Sequence, residues 1–463
     1  MARDIRQTIL NHRVERATSI QRATSQPNRK IPRIFYGVAL TLAMVAWWLS
    51  GGFCSLSNHF AGVAIRERDF DSARSWLLCT KRLQPANAYA LFLAARMARL
   101  QDDVPAMEQL LDASERSGME ADRVLLERQM SQAQSGFLGE VERKLTTRLL
   151  EGDRELAEIC EAYANGLAKE SRFDAALEIL KAWQADRPDT PLPWYRIGRI
   201  EEFRHQFDKA KSSYRAAIAK DKDFFPAVFG LARRCLIENE ANESRQLYRQ
   251  CLRMPNPAAA KIGIALSDIK LGNFESAKVL LLEVSDLGSE AARLSYVSVG
   301  EPYERFVAAS ELGTLLANEG MFEPSLKLLE SALKENPRDV SARYSRGLAL
   351  RGLKRDQEAE MEFEYVSKTK DALQKVSSLT DKINRTSDDV DSRIEVGKIL
   401  VQYESERTGL FWLRSALVYG ENNVKVHEVL ADFYESHLTL DPNNVRLAKF
   451  HRDRFHLLQK TQK

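Results

Sequence analysis

Small residues recur in this chain at a pitch of 34 residues, and no other feature restricts the fold as much. One unit, 191–224, carries Trp194, Ile197, Gly198, Ala210, Tyr214 and Ala217. The unit before it, 157–190, puts Ala164, Ala176, Leu180 and Pro188 at equivalent offsets. Leu231, Ala232, Tyr248 and Cys251 follow in 225–258, then Ala265, Gly272 and Ala277. After an interruption the register returns in 306–339 (Leu312, Gly313, Gly320, Leu329, Ala332, Pro337), 340–373 (Gly347, Ala359, Phe363) and 390–423 (Gly397, Leu413, Ala416). Within a unit, Trp194–His205 and Phe207–Lys220 read as two amphipathic helices split by a polar turn. Gly198 and Ala210 are expected to face each other, because small side chains let helices approach closely. A lone helical pair cannot bury its apolar face, so a chain with this period must stack its pairs into a solenoid.

One segment does not follow the period. From Ile34 to Ile65 there is no Asp, Glu, Lys or Arg, and the apolar heart runs from Ile34 to near Leu56. About 20 helical residues span the ~30 Å hydrocarbon core of a bilayer. Phe35, Tyr36, Trp47 and Trp48 suit the interfacial aromatic belts. Residues 1–33 hold eight Arg/Lys and two acidic residues, whereas only Arg66, Arg68 and Arg74 fall soon after the span. That bias predicts a cytoplasmic basic segment 1–33, a transmembrane helix over 34–56 and an extracytoplasmic repeat domain. A 33-residue lead and the Trp-Trp pair favour an uncleaved anchor over a signal peptide.

The repeated residues resemble the tetratricopeptide repeat (TPR) family: a bulky residue, a small one four later, a small one twelve further on, and a helix-ending proline. The likeness is strong in 157–423; upstream, Phe70–Arg74 and Pro85 suggest a unit at 54–87, with further units near 88–121 and 122–156. The expected fold is all-α, a TPR-type α-solenoid of about ten helix–turn–helix units following one transmembrane helix. Weak repeats would fill 57–156, with clearer ones over 157–291, 306–373 and 390–440. Two insertions, 292–305 and 374–389, interrupt them as lengthened helices, loops or partner contacts. Residues 441–463 would form a capping helix, with Asp441-Pro442 as N-cap and first helical residue.

Catalytic apparatus is not visible. The sequence has no glycine-rich phosphate loop, H-E-x-x-H or G-x-S-x-G, so neither an enzyme nor a cofactor is expected. Glu201 and His205 share a helix face but make a surface contact rather than a metal site, and His451 and His456 are badly spaced for one. The five cysteines form no C-x-x-C pair; Cys235 and Cys251, on opposing helices of one unit, read as buried packing residues, with a disulfide between them in an oxidising space as the alternative. Beyond residue 33 there are 60 basic against 63 acidic residues, which excludes a nucleic-acid-binding face of the usual basic kind.

The TPR resemblance implies a concave groove lined by the first helix of each unit, which takes a peptide or partner helix. Carried onto this sequence, the groove positions are Asn165, Tyr195, Arg196, Arg199, Phe229 and Arg233. Some TPR proteins grip a terminal carboxylate with a Lys and an Asn four apart, but here Glu161 stands four residues before Asn165. That departure turns the reading from a carboxylate clamp toward an acidic or aromatic-bearing segment, which the arginine forks and rings would suit. The functional expectation is a single-pass, membrane-anchored scaffold for protein–protein contacts, or else an accessory subunit that docks a catalytic partner at the membrane.

Overall fold

The computed structural model describes residues 51–461, apart from positions 137, 140, 154, 171, 304, 387 and 439–441. The basic segment 1–33 and nearly all of the apolar span 34–56 lie outside the described residues, as does Asp441. Among the described residues no helix is long and apolar enough to cross a membrane. The last residues of the expected span instead open the first described helix, α1 (Gly52–Arg66).

Twenty-three α-helices and no strand occur among the described residues. They run as antiparallel pairs: α1 with α2 (Phe70–Leu83), α3 (Ala88–Leu100) with α4 (Val104–Arg116), and α5 (Ala121–Gln134) with α6 (Glu142–Glu151). The well-marked repeats follow as α7 (Leu156–Lys169) with α8 (Phe173–Asp186), α9 (Pro191–Phe203) with α10 (Phe207–Lys220), α11 (Phe225–Ile237) with α12 (Ala241–Gln250), and α13 (Ala258–Lys270) with α14 (Phe274–Leu287). A single helix, α15 (Ser289–Ser298), then precedes α16 (Val307–Asn318) with α17 (Phe322–Glu335) and α18 (Val340–Gly352) with α19 (Asp356–Arg385). Two pairs close the chain, α20 (Val390–Tyr403) with α21 (Glu406–Tyr419) and α22 (Val424–Ser436) with α23 (Pro442–Thr461). The C-terminal helix is therefore the second member of an eleventh pair.

The sequence period has a direct cause in packing. A Cβ on Gly198 would lie 2.7 Å from the Tyr214 ring, so this glycine makes room for an aromatic sixteen residues on. Gly313 with Leu329, Gly347 with Phe363 and Gly397 with Leu413 repeat the contact at the same separation. Each glycine lets the second helix of a pair press its largest side chain onto the backbone of the first. Cores run across pair boundaries: one contains Met130, Ala162, Leu167, Ala176, Leu180, Trp183 and Ile197, from three successive pairs. Side-chain caps mark several helix starts; the Asp103 carboxylate, for example, accepts from the Ala106 amide. His205, considered above for a surface role, takes the left-handed turn conformation that Arg68, Asp102, Asn239 and Lys354 adopt between their own paired helices.

The first helices share one face, called here the inner face. Side chains about three repeats apart meet there: Arg68 reaches Glu161 across 93 residues, and Arg199 reaches Glu301 across 102. The winding also brings Phe411 of α21 back against Phe203 (5.9 Å between ring centres) and Phe173 (6.4 Å).

Candidate partner-binding face

All six residues expected in the groove sit on the inner helices α7, α9 and α11, but the face they form is already occupied. Helix α15 and the extended segment after it, which together contain the 292–305 insertion, lie over it. Tyr296 packs edge-on against Phe229 (5.9 Å), and Val299 joins the same buried cluster. The Tyr195 hydroxyl donates at 3.5 Å to the carbonyls of Val299 and Gly300.

This corrects the aromatic part of the expectation. Tyr195 and Phe229 are each only 2% exposed and serve as core, whereas Trp194, read as scaffold, is half-buried. Tyr195 packs between Tyr214 (5.9 Å) and Phe224 (5.8 Å), and Phe229 against Tyr248 (5.0 Å). Asn165 is half-buried on α7.

The three arginines are on the inner face and are answered there by the chain's own carboxylates. Arg196 donates to Glu161 at 2.5 Å, and Arg68 donates to the same carboxylate. Arg199 donates to Glu301 at 2.5 Å; Arg233 donates to Glu202 at 2.5 Å and to Glu301 at 3.3 Å. Further toward the N-terminus Arg96 and Arg99 share Glu127. Arg196–Glu161 and Arg233–Glu202 are 35 and 31 residues apart, about one repeat, so stacking alone sets side chains of successive first helices opposite one another. The result is a ladder of charges along the inner face.

Little water reaches these groups; the side chains of Glu161 and Glu301 are each 6% exposed. Burial by itself would raise the Glu161 carboxyl, but Arg68 and Arg196 outweigh it and hold the group down at about 2. The same contest at Glu301, with Arg199 and Arg233 prevailing over burial, keeps that carboxyl below its ordinary value. Buried ion pairs of this kind add little net stability once desolvation is counted. What they do is fix which side chains face one another across the inner face.

Sequence reasoning located the arginines but missed Glu202 and Glu301. Glu161 was visible only as the residue that spoils a carboxylate clamp, and its position now has a cause: it is the counter-ion of Arg68 and Arg196. The five cysteines are free, and burial pushes the thiols of Cys235 and Cys251 up to about 12. Cys235 lies near Glu240 and Glu243, but the Lys211 ammonium donates to Glu240 at 2.9 Å.

Residues 311–372 match the tetratricopeptide repeat family. They cover α16 to α18 and the first part of α19, and the helical pairs on either side repeat their geometry. No curated protein matches the sequence. Similar solved structures include YrrB, a TPR protein with an unusual peptide-binding site (17% identity, TM-score 0.31, covering 40% of this chain and 89% of YrrB). The Cut9–Hcn1 hetero-tetramer of the APC/C is another (16%, TM-score 0.41, 80% and 68%). A tetratricopeptide repeat protein from Parabacteroides merdae is a third (17%, TM-score 0.35, 60% and 98%). TPR domains generally mediate protein–protein interactions.

Proposed function

We propose that this chain is a protein-binding scaffold held at a membrane by residues 34–56, with its basic N-terminus inside and its repeat solenoid on the far side. The observation that carries the binding part is the inner face. It carries a row of guanidinium groups on successive first helices, each held in place by a carboxylate of the chain itself, and the same forks suit a carboxylate of another chain that takes over such a pairing. The anchor is supported by the uncharged run from Ile34 to Ile65 and the eight basic residues before it.

Photo-cross-linking tests the binding face. An aryl-ketone amino acid at Asn165, on the inner helix α7, should trap a protein partner, whereas the same group at exposed Lys181 on α8 should not. Adducts from Lys181 alone would place binding on the outer face and overturn this reading. For the anchor, alkaline carbonate should leave the full chain in the membrane fraction, and a reporter fused after Lys463 should behave as exported. Release by carbonate, or activity of a cytoplasm-only reporter, would count against the topology.

A further inference from the structure

We propose that Arg199 and Arg233 form a carboxylate-binding subsite for an acidic, extended segment of a partner, and that Glu301 holds this subsite in cis until the partner displaces it. The proposal rests on the protein-binding reading above and goes further by naming the ligand group and the internal competitor.

Glu301 is the member of the charge ladder that the repeat does not supply. Glu127, Glu161 and Glu202 are on first helices, where the solenoid itself places them. Glu301 comes from the insertion, which lengthens the spacing between first helices at Ala258 and Val307 well beyond the usual repeat. A solenoid without the insertion would keep its period and leave the Arg199 guanidinium without this carboxylate.

Helix α15 and the Glu301 side chain are held by different contacts. Helix α15 is anchored by Ala292, Ser295 and Val299, each fully buried. Its end is a left-handed glycine cap: Gly300 has φ +71°, its amide donates to Val297, and the Glu301 amide donates to Tyr296. A Cβ on Gly300 would come within 2.7 Å of the Tyr195 hydroxyl, so only glycine allows the chain to lie this close to the inner face. Past that cap, Gly300 and Pro302 are exposed on either side of buried Glu301. Release of Glu301 would thus break its two arginine pairs without disturbing the packing of Val299, which holds the helix in place.

The chemistry of the ligand follows from what Glu301 now satisfies. Two guanidinium groups donate to one carboxylate, and the charge of Arg407 also bears on it. The Tyr195 hydroxyl donates to backbone carbonyls just before it. A partner would match the two guanidinium groups with an Asp or Glu side chain on an extended segment, while the Tyr195 hydroxyl stays on the carbonyls of the anchored helix end.

The test uses full-length protein in detergent and a fluorescent peptide with the chain's own sequence Tyr296–Tyr303, YVSVGEPY, read by anisotropy. Wild type should bind it weakly, because Glu301 competes at high effective concentration. Glu301→Gln should bind it at least tenfold more tightly. A peptide with Gln in place of the Glu should lose that gain, as should Glu301→Gln combined with Arg199→Ala. Equal affinity of wild type and Glu301→Gln, or equal binding of the Glu and Gln peptides, would overturn the proposal. Circular dichroism checks the fold of each variant. If Glu301→Gln does not fold, Glu301→Asp serves in its place: the shorter arm weakens the competitor, at least threefold tighter peptide binding is expected, and no gain overturns the idea. Partner adducts from Asn165 that are equal in wild type and Glu301→Gln would sink the cis competitor yet leave the protein-binding reading standing; adducts in neither would sink that reading.

Discussion

The two insertions interrupt the same period and fold in opposite ways. The one after α14 is punctuated by glycine and proline: Gly288, Gly300 and Pro302 break it into a ten-residue helix and an extended segment that turns inward onto α9 and α11. The one after the TPR match has neither residue from Asp356 to Arg385, and helix α19 simply continues for 30 residues, about 45 Å. Its added turns pack Leu373, Val376, Leu379 and Ile383 against Val396, Leu400 and Trp412 of the next pair. One insertion delivers a buried charge to the inner face, and the other lengthens an existing interface. Backbone punctuation, more than length, decides which outcome an insertion has in a solenoid.

The most severe way to break this contrast is to punctuate the second insertion. Ser377→Pro, at an exposed position within α19, should lower stability by about 3 kcal/mol or more, since it removes a hydrogen bond and clashes with the preceding turn. Denaturant midpoints would show it, and a near-neutral result would mean that the continuous helix is not what holds 374–389 in place.

Acid titration should give an intermediate effect and separate the two insertions by charge. The folded-state pKa of Glu301 lies below its ordinary value of 4.5, so its contribution is fully present above that pH and is lost as pH falls through and below it. Wild type should therefore lose stability on that limb with a slope contribution of up to about 1.4 kcal/mol per pH unit, and Glu301→Gln should show a shallower limb. Identical acid limbs for wild type and Glu301→Gln would remove the distinction.

The smallest effect belongs to a surface pair. Lys375 and Glu395 are 57% and 43% exposed, so Lys375→Ala should change stability by no more than about 1 kcal/mol. A larger loss, measured by the same unfolding experiment, would show that charge as well as apolar contact ties α19 to α20.

The helices and their pairing were legible because their causes are local. Period, amphipathicity and small residues act within one or two turns, so the pattern at Trp194, Gly198 and Ala210 marked the helices α9 and α10 directly. The inner face was legible only by position. Arg196, Arg199 and Arg233 were placed on first helices by their offsets in the repeat, but nothing near them in sequence shows that Glu161, Glu202 and Glu301 answer them. Tyr195 and Phe229 fell on the inner side as their offsets imply, yet an insertion folding back from about 70 to 100 residues downstream turned them from contacts into core.

By itself the sequence determined an all-helical chain of stacked pairs, because burying an apolar stripe every 34 residues leaves no other solution. The tertiary structure alone decided what the inner face presents. The Arg68–Glu161 and Arg199–Glu301 contacts depend on how whole repeats stack and on where the insertion folds back, which no single unit records. Whether an arginine on that face is a free fork or a buried ion pair is settled by that geometry.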